Sequence, residues 1–177
     1  DGFRFDLGIA LSRGENLSPL DNPPIFEDIE CEPELIDIKF ISEPWDCGGL
    51  YKLGDFPSKN TFTWNGHFRD DLRRFWKGDK DTAWNMSDKI KGTPSIYKED
   101  NIFPKSINFI TSHDGFTLKD LVTFNRKHNF ANREQNRDGD NHNNSWNHGT
   151  EGPTTNLLIN DLRKRQQKNL ILSLLIS

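Results

Sequence analysis

Four short stretches that read as strands recur along the chain, with helical stretches between most of them, and this order limits the fold more than any other feature. They are "DGFRFD" at the start, "IKFISEPW" at 38–45, "TFTWNG" at 61–66 and "SINFIT" at 106–111. In the first, Phe3 and Phe5 point one way and Arg4 and Asp6 the other, because side chains alternate along an extended chain. A helix is expected after Asn22, which would cap it, with Pro23 and Pro24 in its first turn, Ile25, Phe26 and Ile29 as its apolar stripe and Pro33 as its stop. Phe68, Leu72, Phe75 and Trp76 stand at helical spacing, and further helices are predicted over about 82–91, within "DGFTLKDLVTF", and as a long amphipathic helix over about 155–176. Residues 46–60 and 92–104 read as loops. Strands alternating with helices predict parallel pairing in an α/β fold. The polar segment 125–153 is long for a loop inside a domain, which points to a functional role.

Three carboxylates share one context. Asp6, Glu43 and Asp114 each fall at the C-terminal end of a predicted strand, just before a loop. The first two are about one strand–helix unit apart, the last two about two. In parallel barrels that rim collects the reactive groups. A pair of carboxylates flanking one bond is what glycoside hydrolysis needs, one attacking the sugar carbon and the other protonating the departing oxygen. The attacking group must stay ionised while the proton donor keeps its proton near neutrality. Arg4 beside Asp6 would hold that aspartate charged, which gives a chemical reason for an ion pair that contributes little to stability. Glu43, between Ile41 and the Pro44–Trp45 pair, has an apolar setting suited to a donor. Singly, each acid has an ordinary explanation: a surface pair on a strand, a glutamate before proline, a turn that caps a helix. Their joint placement at strand ends carries the argument.

Other features narrow the function classes. A net charge of −4 provides no basic footprint for nucleic acid. The basic "LRKRQQK" at 162–168 reads as a solvated helix face. Cys31 and Cys47 are too few for a disulfide framework or a zinc site, so a reducing compartment is expected. No stretch reaches the roughly 20 apolar residues of a membrane span, the start lacks the pattern of a secretory leader, and the closing "NLILSLLIS" reads as a buried helix end. His128, His142 and His148 lack metal-ligand spacing and read as solvated or substrate-contacting. "EQNRDGDNHNN" fails as a calcium loop, since aligning Gly139 with the turn glycine leaves Ser145 where a bidentate Glu is required. Neither metal nor cofactor is expected. Thirteen Phe and five Trp make an aromatic-rich chain, suited to a core and to stacking on sugar faces.

Longer blocks are more specific. "DGFRFDL", "EPWDCGGLY", "WNGHFRDDLRRFW", "SINFITSHDGFTLKDLVTFNRKHN", "NRDGDNHNNSWNHGTEGPT" and "LRKRQQKNLILSLL" closely resemble the isoamylase-type glycogen and starch debranching enzymes of the α-amylase superfamily, over nearly the whole chain. The resemblance implies a (β/α)₈ TIM barrel, here partial, running from about the fourth strand to the seventh, with a long loop at 46–60 after the fifth. It implies retaining hydrolysis of α-1,6 branch linkages in a branched α-glucan such as glycogen, amylopectin or a limit dextrin. By motif, Asp6 resembles the nucleophile, Glu43 the general acid/base and Asp114 the transition-state stabiliser. Arg4 resembles the partner of the nucleophile, and His113 the histidine that hydrogen-bonds the sugar. Trp45 and Trp64 are stacking platforms or core residues. Residues 1–177 are expected to form the C-terminal part of the catalytic barrel domain, the other strands and flanking β-domains lying outside the chain, which by itself is expected to be inactive and poorly soluble. A cytoplasmic location is expected, or a plastid in a photosynthetic eukaryote. The alternatives are a catalytically silent glucan-binding subunit and a related enzyme that acts on α-1,4 bonds or transfers glucan chains.

Overall fold

In the computed structural model, which describes residues 2–97 and 105–177, four strands pair side by side in chain order: β1 (Gly2–Phe5), β2 (Lys39–Ser42), β3 (Thr61–Trp64) and β4 (Ser106–Ile107). Every pairing is parallel. Phe5 stands opposite Ser42, and Ser42 opposite Thr63. The chain is thus α/β, as the alternation of elements predicts. It divides into two units, Asp1–Asn65 with Pro94–Ile107, and Gly66–Thr93 with Asn108–Ser177.

The first unit holds the sheet and α1 (Pro24–Cys31). Phe3 and Phe5 share one face of β1 and both stack on Phe40 of β2, with centroids 6.0 Å away in each case. Phe40 is buried, whereas Phe3, on an edge strand of the sheet, is 58% exposed. On β3, Thr61 and Thr63 are buried, and Thr63 Oγ1 meets the Tyr97 hydroxyl at 2.7 Å. Asn22 does not cap α1. Pro23 takes the cap position with extended backbone and Pro24 opens the helix, so the first turn has fewer N–H groups to satisfy; the Phe26 N–H bonds the Pro23 carbonyl at 3.1 Å. Residues 46–60 form the expected loop, and the predicted loop at 92–104 falls partly outside the described residues. "SINFIT" shrinks to two strand residues.

The second unit is built from α2 (Gly66–Lys77), α3 (Ala83–Ile90), α4 (Leu118–Leu121) and α5 (Leu157–Leu175). Phe68, Leu72, Met86, Ile110, Leu121 and Leu170 form its core. Thr117 caps α4, accepting from the Asp120 N–H at 3.2 Å. The expectation for α5 needs correction. Its buried residues are Arg163, Leu170 and Ser173, while Leu157, Leu158, Leu172 and Leu175 are mostly exposed, so no broad apolar stripe exists and the closing apolar run is only partly covered. Lys164, Arg165 and Lys168 face solvent as expected, but Arg163 does not. Its guanidinium donates to the carbonyls of Gly152 (2.9 Å), Asn147 (2.7 Å), Thr150 and Thr123, tying the helix to the polar segment before it.

That segment is held by side chains acting on backbone. Lys127 Nζ donates to the carbonyls of Arg137, Asp138 and Gly139 at 2.9–3.1 Å, so an ammonium takes the oxygens that a cation would seek in such a loop. His148, expected to be solvated or substrate-contacting, is buried against Trp146 with Nδ1 3.0 Å from the Val122 carbonyl, and burial pushes its pKa down. Glu151 accepts from the N–H groups of Asn125 (2.8 Å) and Arg126 (3.3 Å), from Asn147 Nδ2 (2.9 Å) and from His128 Nε2 (2.9 Å).

Burial opposes the Glu151 charge, but these four donors outweigh it and hold the carboxyl at about 2, below its ordinary 4.5. A depressed pKa contributes stability that is complete above the ordinary value and is lost as pH falls through the depressed one. The amides of Asn125 and Arg126 should therefore lose hydrogen-exchange protection, corrected for intrinsic rate, as pH drops from about 4.5 to about 2. In Glu151→Gln, protection should be weak at pH 6 and flat across that window; a wild-type profile in this variant contradicts the assignment.

Candidate active site

Because β1, β2 and β3 are parallel and in register, the residues that leave their C-terminal ends emerge together: Asp6 after β1, Glu43 after β2 and Trp64 as the last residue of β3. Arg4 joins them. One terminal nitrogen of its guanidinium lies 2.9 Å from Asp6 Oδ1, the other donates to Glu43 Oε1, and the group sits 4.1 Å above the Trp64 ring. The expected Arg4–Asp6 pair is present, and it extends to Glu43, which the sequence reading did not foresee. Oxygens of Asp6 and Glu43 lie within 4.8 Å of each other.

The two acids differ in setting. Glu43 is 1% exposed, whereas the Asp6 side chain is 58% exposed. The second oxygen of Glu43 accepts the Leu7 N–H at 2.7 Å, and its backbone is locked by Glu43 N–H to the Phe5 carbonyl (3.1 Å) and Ile9 N–H to the Glu43 carbonyl (3.2 Å). Leu7 reaches this oxygen from left-handed backbone, φ 45°. Gly8 then passes so close to β2 that a Cβ on it would lie 2.0 Å from Ser42 Oγ. The apolar setting expected for Glu43 therefore needs correction: the group is buried, but Arg4 and the Leu7 N–H meet its two oxygens.

Arg13, missed in the sequence reading, shapes the next loop. Its hydrogen bond to Asp46 (2.6 Å) leads the interactions that hold the Asp46 carboxyl at about 2; burial opposes it and the N–H groups of Leu50 and Gly48 assist. The pinned turn lays Tyr51 against Trp45, with centroids 5.9 Å apart and rings 15° from parallel. Trp45 is half-buried and so has a face for stacking, whereas Trp64 already holds the Arg4 guanidinium.

His113 and Asp114 belong to the second unit. They pair with each other, Nε2 to Oδ1 at 3.2 Å, and both side chains are more than half exposed. The Asp114 carbonyl accepts the Asp140 N–H at 2.8 Å. Beside it lies a cavity of about 220 Å³ lined by Phe116, Phe124, Arg126, His128 and Asp140.

No protein-family model matches the chain. It is 48% identical to Isoamylase 3, chloroplastic, of Oryza sativa subsp. japonica, with 100% of this chain and 23% of that protein covered. It is 43% identical to Isoamylase 1, chloroplastic, of Arabidopsis thaliana, covering 100% and 25%, and 44% identical to the Glycogen operon protein GlgX homolog of Haemophilus influenzae, covering 100% and 28%. The chain spans about a quarter of the length of the curated relatives it matches. With identity of this level along all of its residues, the chain belongs to the family of the isoamylases and GlgX homologues.

Proposed function

We propose that the protein carrying this chain is a debranching glycosidase that hydrolyses α-1,6-glucosidic branch linkages in a glycogen- or starch-type glucan with retention of configuration. The observation that carries this reading is the Asp6–Glu43 pair: two carboxylates from neighbouring parallel strands, with oxygens within 4.8 Å, joined by one guanidinium. That proximity is in keeping with a retaining enzyme, whose carboxyl groups stand about 5–5.5 Å apart, closer than the pair of an inverting enzyme.

In the proposed reaction Asp6, the exposed member, attacks the anomeric carbon while Glu43 gives a proton to the departing 6-oxygen. A glycosyl ester on Asp6 results. Glu43 then takes a proton from water, which attacks the same carbon and frees Asp6. Arg4 aims Asp6, and Trp64 keeps Arg4 flat. Asp114 grips ring hydroxyls more tightly as the ring flattens, His113 hydrogen-bonds the same sugar, and Trp45 with Tyr51 supplies a stacking surface. The four strands are read as strands four to seven of a (β/α)₈ barrel, with residues 1–177 as the C-terminal part of that domain. The compartment is the cytoplasm, or a plastid in a photosynthetic host, in keeping with the word chloroplastic in the plant relatives' names. Among the described residues no helix is long and apolar enough to cross a membrane. The presence of both acids disfavours a silent glucan-binding subunit.

In the full-length protein, Asp6→Asn and Glu43→Gln should each lower chain release from amylopectin by about a thousandfold or more, with glucan affinity changed less than about threefold. Near-native turnover in either would remove that residue's role. Released chains should be linear; free glucose and maltose instead would favour an α-1,4-acting enzyme. The 177-residue chain alone should release none from amylopectin, and activity of that chain would overturn the reading of it as part of a barrel.

A further inference from the structure

The turn that carries His113 and Asp114 is exposed, yet two buried residues grip its backbone. Arg73, on α2, is 4% exposed. Its Nε (2.8 Å) and one terminal nitrogen donate to the Ile110 carbonyl, and the other terminal nitrogen donates to the Asn143 carbonyl at 3.1 Å. Asn143 is equally buried and uses both ends of its amide. Oδ1 accepts the Phe116 N–H at 2.8 Å, and Nδ2 donates to the Asp140 carbonyl at 2.8 Å. The Asp140 N–H in turn holds the Asp114 carbonyl. The segment 110–116 is therefore fastened before Asp114, at it and after it. Gly115 makes the arrangement possible, because a Cβ there would lie 2.8 Å from Asn143 Oδ1.

A buried guanidinium whose hydrogen bonds go to carbonyls is an expensive fastener. Burial, with Arg69 adding to it and Asp70 and Asp140 opposing, lowers the Arg73 pKa to about 10. An apolar residue of similar volume would avoid that desolvation but leave the two carbonyls without this donor. What an apolar residue cannot do is hold two carbonyls of separate segments in one plane, and a fork of donors does this.

We propose that Arg73 and Asn143 are positioning residues for Asp114, fixing the backbone of the 110–116 turn so that an exposed carboxylate keeps one direction toward the glucan. This rests on the reading of Asp114 as the transition-state stabiliser. Neither residue touches the sugar; both act through the turn, where a displacement of about 1 Å costs about a hundredfold in rate.

The test uses the full-length protein and a branched limit dextrin, with rates expressed per folded molecule from a thermal melt of each variant. Asn143→Ala and Gly115→Ala should each lower kcat about a hundredfold with KM within about threefold, and the double variant should lose no more than Asn143→Ala alone, since both act on one contact. Arg73→Lys should lie between wild type and Arg73→Met. Should Asn143→Ala fail to fold, Gly115→Ala decides. Native kcat per folded molecule in Asn143→Ala and Gly115→Ala, alongside an inactive Asp114→Asn, overturns the positioning role while leaving the function intact. Native turnover in Asp114→Asn overturns the role of Asp114 itself and the inference with it.

Discussion

The proposed chemistry depends on one guanidinium held between two carboxyl groups. Asp6 and Glu43 approach within 4.8 Å, and Glu43 is almost wholly buried. Arg4 bridges the two acids, and the Trp64 face below it limits where the group can go. The arrangement needs parallel strands in the observed register. A slip of one residue on β1 would send Arg4 and Asp6 to the opposite face of the sheet and leave Glu43 buried without its cation.

Much of this was legible from residue order. Alternating strands and helices gave the parallel sheet, and placing acids at strand ends singled out Asp6 and Glu43. The Arg4–Asp6 pair could be foreseen because both lie on one strand at a separation that puts them on the same face. The Arg4–Glu43 contact could not, because it depends on the register between two strands that are distant in sequence. The same limit explains what was missed elsewhere. Arg163, Arg73, Asn143 and Glu151 all act on backbone carbonyls or amides of remote segments, and nothing in the adjoining residues marks those partners. For this reason Arg163 reads from sequence as solvated along with its basic neighbours. His148 reads from sequence as part of a polar loop although it packs on Trp146.

The second unit shows how a long polar segment can be ordered with little apolar material. Lys127, Glu151 and Arg163 each gather several backbone groups, and Asn129, Asn136 and Asn143 bridge neighbouring turns. Each such bond contributes only about 1 kcal/mol net, but leaving a buried partner unmet costs more, so the segment holds its shape cooperatively. The cost is tolerated where shape is what function requires, and the cavity beside Asp114 is lined by residues of this segment.

The central claim is that Asp6 attacks the sugar carbon, and the most direct measurement is to trap the ester it forms. Incubating the full-length protein with an activated fluoro-α-glucosyl donor that slows the second step, followed by proteolysis and mass spectrometry, should locate one glycosyl group on the peptide containing Asp6. A glycosyl group on any other residue, or turnover of a slow branched substrate to a product of inverted anomeric configuration, would contradict the account.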